Sequence, residues 1–318
     1  MSLLVLPLLV LPLLLLCLAA PVRAQDYELV RDINDYGLED FGSNPWSFAE
    51  RSGQLVFAAD DSINGLQPWI TDGTPQGTQS LLPASSLQLD LMSLYSNGFV
   101  EFGARLYFVG KDAQHGEELW FTDGTAQGTG MLLDLSPGSA SSKIRSLCVA
   151  NGRLFFRLDT QIFVSDGTAA GTRNLQDRTV PPRFVAATDL KIHPTPAGIY
   201  FFADDGVHGY EPWFSDGTLY KARLVADVVP GSSSSARAPS ITTLGHALIL
   251  PRLDPNTGVW SILLFDATKN LNYELSNAQT AAVLKSNFQL WSVGQHIWLQ
   301  PGYSNPTRAP LPGWRTPH

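Results

Sequence analysis

Gly116-Glu117-Glu118-Leu119-Trp120-Phe121-Thr122-Asp123-Gly124-Thr125-Ala126-Gln127-Gly128-Thr129 decides the fold, because it recurs. Asp-Gly-Thr returns at Asp72-Gly73-Thr74, Asp166-Gly167-Thr168 and Asp216-Gly217-Thr218, which spaces successive copies by 51, 43 and 50 residues. A decayed copy, Asp266-Ala267-Thr268, follows after another 50, and a further 51 reach Pro317. Trp314 precedes Pro317 by three residues, as Trp69, Trp120 and Trp213 precede their aspartates. Self-similarity at a period of this size marks a repeat architecture. The motifs near 72, 123, 166, 216, 266 and 317 make six copies, four clear and two eroded.

Each full copy holds four strand-like runs, in the second copy Leu94 to Phe102, Arg105 to Lys111, Glu117 to Thr122 and Thr129 to Leu135. β-Branched and aromatic residues fill the runs, and Gly or Asp turns part them. Four short antiparallel strands per repeat predict the blade of a β-propeller, in an all-β chain. After the second and fourth motifs come Leu132-Leu133-Asp134-Leu135 and Leu224-Val225-Ala226-Asp227-Val228, and Leu29-Val30-Arg31-Asp32-Ile33 opens the chain beyond residue 24 with the same element. The N-terminal segment is therefore expected to supply the last strand of the sixth blade and close the ring, leaving no terminal edge open to aggregation. The third copy is seven residues shorter than the fourth and lacks the hairpin with Gly before the Trp position.

Residues from Leu3 to Ala20 are almost wholly apolar, broken by Pro7 and Pro12, and Val22-Arg23-Ala24 then gives a small-x-small end before Gln25-Asp26. This predicts a secretory signal peptide over 1–24, cleaved after Ala24, with one propeller domain over 25–318. The competing reading is a retained membrane anchor, since the run approaches spanning length. The prolines and the small-residue end favour cleavage, after which no membrane span remains. Cys17 follows leucines and not the small residues of a lipoprotein signal, and Cys148, in Ser146-Leu147-Cys148-Val149, reads as a buried core residue. The net charge of −8 becomes −9 when Arg23 leaves with the signal, and no basic cluster interrupts it, which excludes nucleic acid and anionic membranes as expected partners. Hydrophobic residues make up 44% of the chain, ample for a core, and 27 Gly and 22 Pro suit many tight turns.

The long stretch 116–129, with Gly209-Tyr210-Glu211-Pro212-Trp213-Phe214-Ser215-Asp216-Gly217-Thr218 and Gly65-Leu66-Gln67-Pro68-Trp69-Ile70-Thr71-Asp72-Gly73-Thr74, resembles the ELWxxDGT repeat of exported bacterial proteins. Pro137-Gly138-Ser139 and Pro230-Gly231-Ser232 are similar to the runs that follow that repeat. The resemblance is strongest from about residue 53 to 235. It implies a propeller-like domain at or outside the cell envelope, and no chemistry.

The candidate site residues divide between binding and structural readings. Asp61, Asp112, Asp204 and Asp205 are candidates for a weak Ca²⁺ site, because carboxylates beside carbonyls suit that ion. Aligned on the Trp, however, Asn64, His115 and His208 share one position before a Gly, and residues that tolerate positive φ there fit a hairpin turn whose Asp bonds the backbone. Asp-Gly-Thr likewise reads as turn chemistry, with Asp capping, Gly left-handed and Thr restarting a strand. Trp69, Trp120 and Trp213 recur with Phe163 and Leu263 as apolar substitutes, which favours packing between blades over a sugar platform. Trp291, Trp298 and Trp314 lie outside that scheme or in the eroded last copy and are the ligand-binding candidates. The remaining histidines, His193, His246, His296 and His318, share no motif with a nucleophile, and no carboxylate pair has a glycosidase spacing. The expectation is a non-catalytic binding or scaffold module for a protein or glycan at the cell envelope, secreted or periplasmic, with no cofactor. The alternatives are a propeller enzyme acting on polysaccharide and a Ca²⁺-stabilised structural module.

Overall fold

The computed structural model describes residues 29–34, 42–82, 88–89, 98–176, 184–187, 191–235, 241–254, 258, 260–274, 288–293 and 296–301, and every regular element among them is a β-strand. The signal peptide expected over 1–24, Trp314 and the eroded motif near 317 lie outside the described residues. The strands fall into six antiparallel sheets. The first holds β1 (Trp46–Arg51), β2 (Gln54–Asp60), β3 (Leu66–Thr71) and β4 (Gln79–Ser80). The second holds β5 (Gln88–Leu89), β6 (Val100–Phe102), β7 (Arg105–Asp112), β8 (Gly116–Thr122) and β9 (Gly130–Leu133). The third holds β10 (Ile144–Ala150), β11 (Arg153–Leu158), β12 (Gln161–Ser165) and β13 (Arg173–Asn174). The fourth holds β14 (Val185–Ala186), β15 (His193–Thr195), β16 (Gly198–Asp204), β17 (Tyr210–Ser215) and β18 (Arg223–Leu224). The fifth holds β19 (Thr242–Leu244), β20 (Ala247–Leu253), β21 (Trp260–Asp266) and β22 (Leu271–Glu274), and the sixth β23 (Phe288–Val293) and β24 (His296–Pro301).

One hairpin register runs through all six sheets. Arg51 pairs with Gln54, Phe102 with Arg105, Ala150 with Arg153, Thr195 with Gly198, Leu244 with Ala247 and Val293 with His296. Two residues join each pair, the shortest connection an antiparallel ladder allows. In the first and third sheets both are left-handed, Ser52 (φ 51) with Gly53 (φ 79) and Asn151 (φ 46) with Gly152 (φ 65), the turn whose twist matches its strands. The sixth sheet, whose Asp-Gly-Thr has eroded, keeps this register in full. The first strand is irregular in four of the sheets: it bulges in the first and third and is split in the second and fourth. In the second copy the expected first run, Leu94 to Phe102, ends in β6, its residues 94–97 lie outside the described residues, and β5 precedes it.

The sheets bury both faces, so their central strands read as near-continuous apolar runs. Val56, Ala58 and Ile70 of the first sheet pack with Phe99, Leu106 and Phe108 of the second. Tyr107, Val109 and Leu119 pack in turn with Leu147, Leu154 and Phe156 of the third. Cys148, Phe155 and Ile162 meet Ile199, Phe201 and Trp213 of the fourth, and Tyr200, Phe202 and Phe214 meet Leu248, Leu250 and Leu263 of the fifth. Each fully buried Phe or Leu contributes roughly 1.5–3 kcal/mol. First strands stand side by side in the order β6, β10, β15, β19, β23. The result is an all-β series of four-stranded sheets stacked face to face, a propeller-like arrangement.

Trp69, Trp120 and Trp213 occupy one position in that stack, paired across the ladder with Phe57, Phe108 and Phe201, as Phe163 pairs with Phe156 and Leu263 with Leu250. Trp69 and Trp213 are buried and Trp120 half-buried; Trp120 and Trp213 lie on the face toward the preceding sheet, and Trp69 packs with Phe57, Ala59 and Ile33. Leu29–Asn34 form no strand: Ile33 packs on Phe57, Ala59 and Trp69, and Arg31 donates to the Thr78 carbonyl. The strand expected of this segment is therefore not formed within the described residues, although its apolar side chain lies against a sheet face.

Candidate functional site

The Asp-Gly-Thr turn is built alike in the first three copies. Asp72 Oδ1 accepts the Thr74 N–H at 2.9 Å and its hydroxyl at 2.7 Å, and Asp123 and Asp166 repeat both bonds with Thr125 and Thr168. The Thr hydroxyls, with the backbone N–H groups, hold all three carboxyls below the usual carboxylate range. Thr74 Oγ1 then accepts from Gly77 N (2.9 Å), and the Thr78 hydroxyl donates to the Thr74 carbonyl (2.7 Å). Gly128 with Thr129 and Gly171 with Thr172 do the same. A Cβ at Gly77, Gly128 or Gly171 would sit 2.0, 2.1 or 2.0 Å from the capping carboxylate. The physical unit is thus Asp-Gly-Thr-x-x-Gly-Thr, and sequence reasoning limited to three residues missed its second half, which recurrence alone could have revealed.

The middle glycine joins neighbouring sheets. Gly124, Gly167 and Gly217 have φ near +90 (95, 90 and 92), and a Cβ at Gly167 would stand 2.6 Å from Tyr107 Oη of the preceding sheet. At Gly217 it would meet Arg153 Cδ at 2.8 Å and Phe155 Cζ at 2.9 Å. Tyr107 donates to the Gly167 carbonyl (3.0 Å). Tyr200, at the register position of Tyr107, accepts the Ala267 N–H at 2.8 Å, and burial pushes its hydroxyl up to about 12. Ala267 replaces Gly without a positive φ, while Asp266 still caps Thr268.

The hairpin before the Trp carries the candidate carboxylates. Asp112 Oδ1 accepts from Gln114 N (2.9 Å) and His115 N (2.6 Å), and Oδ2 lies 2.9 Å from His115 Nδ1. Asp205 makes the same set with Val207 N, His208 N and His208 Nδ1 (2.9, 3.0 and 2.8 Å), and Asp61 with Ile63 N, Asn64 N and Asn64 Nδ2 (2.9, 2.7 and 2.8 Å). Burial raises these three carboxyls, and the turn bonds outweigh it, leaving each below its ordinary value. Asp204 Oδ1 accepts from Gly206 N (2.7 Å). Among the described residues no three His, Cys, Asp or Glu side chains are grouped to hold a metal ion.

Glu118 and Glu211, the Glu of the motif, are fully buried and do work that the sequence reading did not assign. Glu211 accepts from Val228 N (3.0 Å), Val229 N (3.4 Å), Ser235 N (3.1 Å) and Ser235 Oγ (2.6 Å). Glu118 accepts from Leu135 N (2.9 Å), Ser136 N (3.3 Å) and the Ser142 hydroxyl. Each clamps the Pro-Gly-Ser loop that leaves its own sheet. A Cβ at Gly116 or Gly209 would lie 2.6 Å from the Ala140 or Ser233 carbonyl, so glycine lets that loop close on the hairpin. Burial pushes both glutamate carboxyls above their usual range, against the pull of the hydrogen bonds. The donors lie 17 and 24 residues after the Glu in both copies, too far along the chain for any local pattern to mark them.

The third copy breaks this pattern. Asp159 and Thr160 alone connect β11 to β12, with Leu158 paired to Gln161, where the other clear copies have the longer hairpin. Beside this short turn a cleft of about 460 Å³ opens against the fourth-sheet hairpin at Asp204–Gly206. Thr160, Gln161, Gln176, Phe184, Val185 and Asp204 line it. Gln161 occupies the register position of Glu118 and Glu211, two residues before the aromatic, but it accepts from Asn174 Nδ2 (2.6 Å). Gln176 bonds Phe184 N and O through both ends of its amide (3.1 and 2.8 Å), fixing the apolar wall. A second groove, about 630 Å³, lies by the inner hairpins at Asn151 and Pro194–Pro196, and there Asn151 already donates to the Asp216 carbonyl (2.9 Å).

The other titratable groups are poorly poised. Burial drives the Cys148 thiol to about 12 and the His193 imidazole down to about 4. Trp291 and Trp298 face each other across β23 and β24 as backbone partners, and Trp298 holds the register position of Tyr107, Phe155 and Tyr200.

No protein-family model and no curated protein matches this chain. Solved structures with a similar chain course do. One is from a study of two prolyl endopeptidases, with a TM-score of 0.47, 12% identity and coverage of 80% of this chain and 37% of that one. Another is Porphyromonas gingivalis dipeptidyl peptidase 4, with a TM-score of 0.47, 8% identity and coverage of 77% and 40%. A third, Citrobacter koseri AztD, has a TM-score of 0.43, 10% identity and coverage of 80% and 65%. The chain spans about two fifths of the length of the two peptidase structures. Among the described residues, no helix is long and apolar enough to cross a membrane.

Proposed function

We propose that this chain is an exported, non-catalytic β-propeller of six blades, of the ELWxxDGT repeat type, that serves as a binding or scaffold module for a protein or glycan at the cell envelope. One observation carries the reading. The Asp, His, Glu and Thr side chains of the clear repeats are engaged inside their own turns and loops, whereas the shortened third copy opens a cleft in an otherwise regular rim. Residues that would serve catalysis or a cation are thus at work holding blades together.

Ring closure is part of the proposal. The hairpin register common to six sheets supports six blades. The Phe57, Ala59 and Trp69 face of the first sheet is buried, and Ile33 covers it as Leu135, in the same apolar-Asp-apolar element, packs between the second and third sheets.

Capture from an envelope fraction tests the binding role. The full chain as bait is expected to retain a protein or glycan that a variant carrying the fourth-copy hairpin inserted at Asp159–Thr160 does not. Turnover of a polysaccharide or peptide by the pure protein would overturn the non-catalytic reading. N-terminal sequencing of the exported form is expected to begin at Gln25. A chelator is expected to leave the melting temperature unchanged, since a cation bound only to the folded state would raise it.

A further inference from the structure

We propose that the cleft of the third copy is a saccharide site, taking a neutral oligosaccharide of one to two rings. The inference rests on the binding-module reading and adds the ligand class and the residues that meet it. The volume, about 460 Å³, lies within the range of small-ligand sites. Its walls offer donors and acceptors together, which is what a ring bearing hydroxyls requires. Gln161 uses Oε1 on Asn174 and keeps its Nε2 hydrogens to donate. Asp204 uses Oδ1 on Gly206 N and keeps Oδ2 to accept. The Thr160 hydroxyl can do either.

Val185, 47% exposed, supplies the apolar surface on which the C–H face of a sugar rests, and the buried Phe184 backs it. The amide of Gln176 holds Phe184 by both backbone groups, so that wall is set before any ligand arrives, which lowers the ordering cost of binding. A lysine or arginine side chain is the weaker fit. Asp205, the second carboxylate on the rim, has Oδ1 committed to two backbone N–H groups and Oδ2 to His208, which leaves one carboxylate oxygen for a cation that wants a fork.

The same position bears on why the cleft opens at the third copy. Where Glu118 and Glu211 turn inward to clamp a loop, Gln161 stands beside an open cleft, and the hairpin that would cover it is absent.

The test is titration of the full chain with cello-, malto- and chito-oligosaccharides of two to four rings, read by ligand-observed NMR and calorimetry. Binding of at least one series is expected, at millimolar affinity or better, with Gln161→Ala and Asp204→Asn each weakening it about tenfold, the loss of one hydrogen bond apiece. Val185→Asp provides a second route, since it removes apolar surface without touching either polar group. Melting temperatures near that of the unsubstituted chain certify the fold of each variant. No binding of any series, or binding that all three variants leave unchanged, overturns the saccharide site. In the first case retention of an envelope protein by the same bait leaves the binding-module reading standing, and hydrolysis of the bound sugar would overturn that reading while the site survives.

Discussion

The second and fourth copies hold a buried glutamate where the third holds a half-buried glutamine, and most of what differs between these regions follows from that exchange. In the complete copies Glu118 and Glu211 receive three or four hydrogen bonds from a loop that folds back across the hairpin. In the third, Gln161 touches Asn174, the hairpin shrinks to two residues, and a cleft remains. The same strand position is a clamp in one setting and a binding group in the other. A repeat protein can therefore gain a site by loss, provided the sheets beneath keep their register.

The sharpest break of this comparison is truncation at the shared position. Glu118→Ala or Glu211→Ala leaves several buried donors without an acceptor and is expected to cost about 3 kcal/mol each. Gln161→Ala removes one partly buried bond and is expected to cost below about 1 kcal/mol. Denaturant melts of the three variants measure the contrast, and equal losses would dissolve the distinction between clamp and site.

How much of this was legible in the sequence depends on distance along the chain. The all-β class, the repeat and the packing role of the tryptophans were readable, because an apolar position that tolerates Trp69, Phe163 and Leu263 is already a statement about burial. The hairpin Asp was readable too, since His115, His208 and Asn64 share only their liking for a turn. Glu118 was not. Its partners lie 17 and 24 residues away, and nothing local distinguishes a carboxylate on a strand that faces water from one that holds a distant loop. Gly128 stayed hidden for a different reason, because its space is filled by Asp123 and not by its own backbone. The cleft at the third copy was legible as a shortening, and only the fold says what the shortening uncovers.

Within the turns, Gly128→Ala or Gly171→Ala forces a Cβ into the capping carboxylate and is expected to destabilise by about 2 kcal/mol. The fourth copy has Lys221 at the matching place, and Asp216 there bonds only Thr218 N (2.8 Å). Lys221→Ala is accordingly expected to stay within about 0.5 kcal/mol. Thermal melts of the two substitutions separate copies that need the glycine from the one that does not. Between sheets the effect is smaller again: Tyr107→Phe removes a single bond to the Gly167 carbonyl and is expected to cost about 1 kcal/mol.

The smallest expected effect is a slope with pH, and it too separates copies. Hydrogen bonds donated to Asp112 and Asp205 raise His115 and His208 above 6.5, and Asp134 with Glu118, or Asp227 with Glu211, adds to that field. A histidine raised in the folded state binds its proton more tightly there, so its contribution is fully present below 6.5 and fades as pH climbs through the folded value. Glu118 and Glu211 act in the same direction at lower pH: raised by burial, they favour the folded state below 4.5 and lose that contribution as pH rises. The capping aspartates oppose them, since carboxyls lowered in the fold give stability that is lost only as pH falls below 3.8. The melting temperature is therefore expected to drift down between about pH 6 and pH 8, the range in which a raised histidine gives up its proton. The first copy shows how to remove the drift, because Asn64 Nδ2 makes the same contact to Asp61 at 2.8 Å with no proton to lose. A His115→Asn, His208→Asn double variant is expected to flatten the curve over that range, and a drift that persisted in it would place the titrating groups elsewhere in the fold.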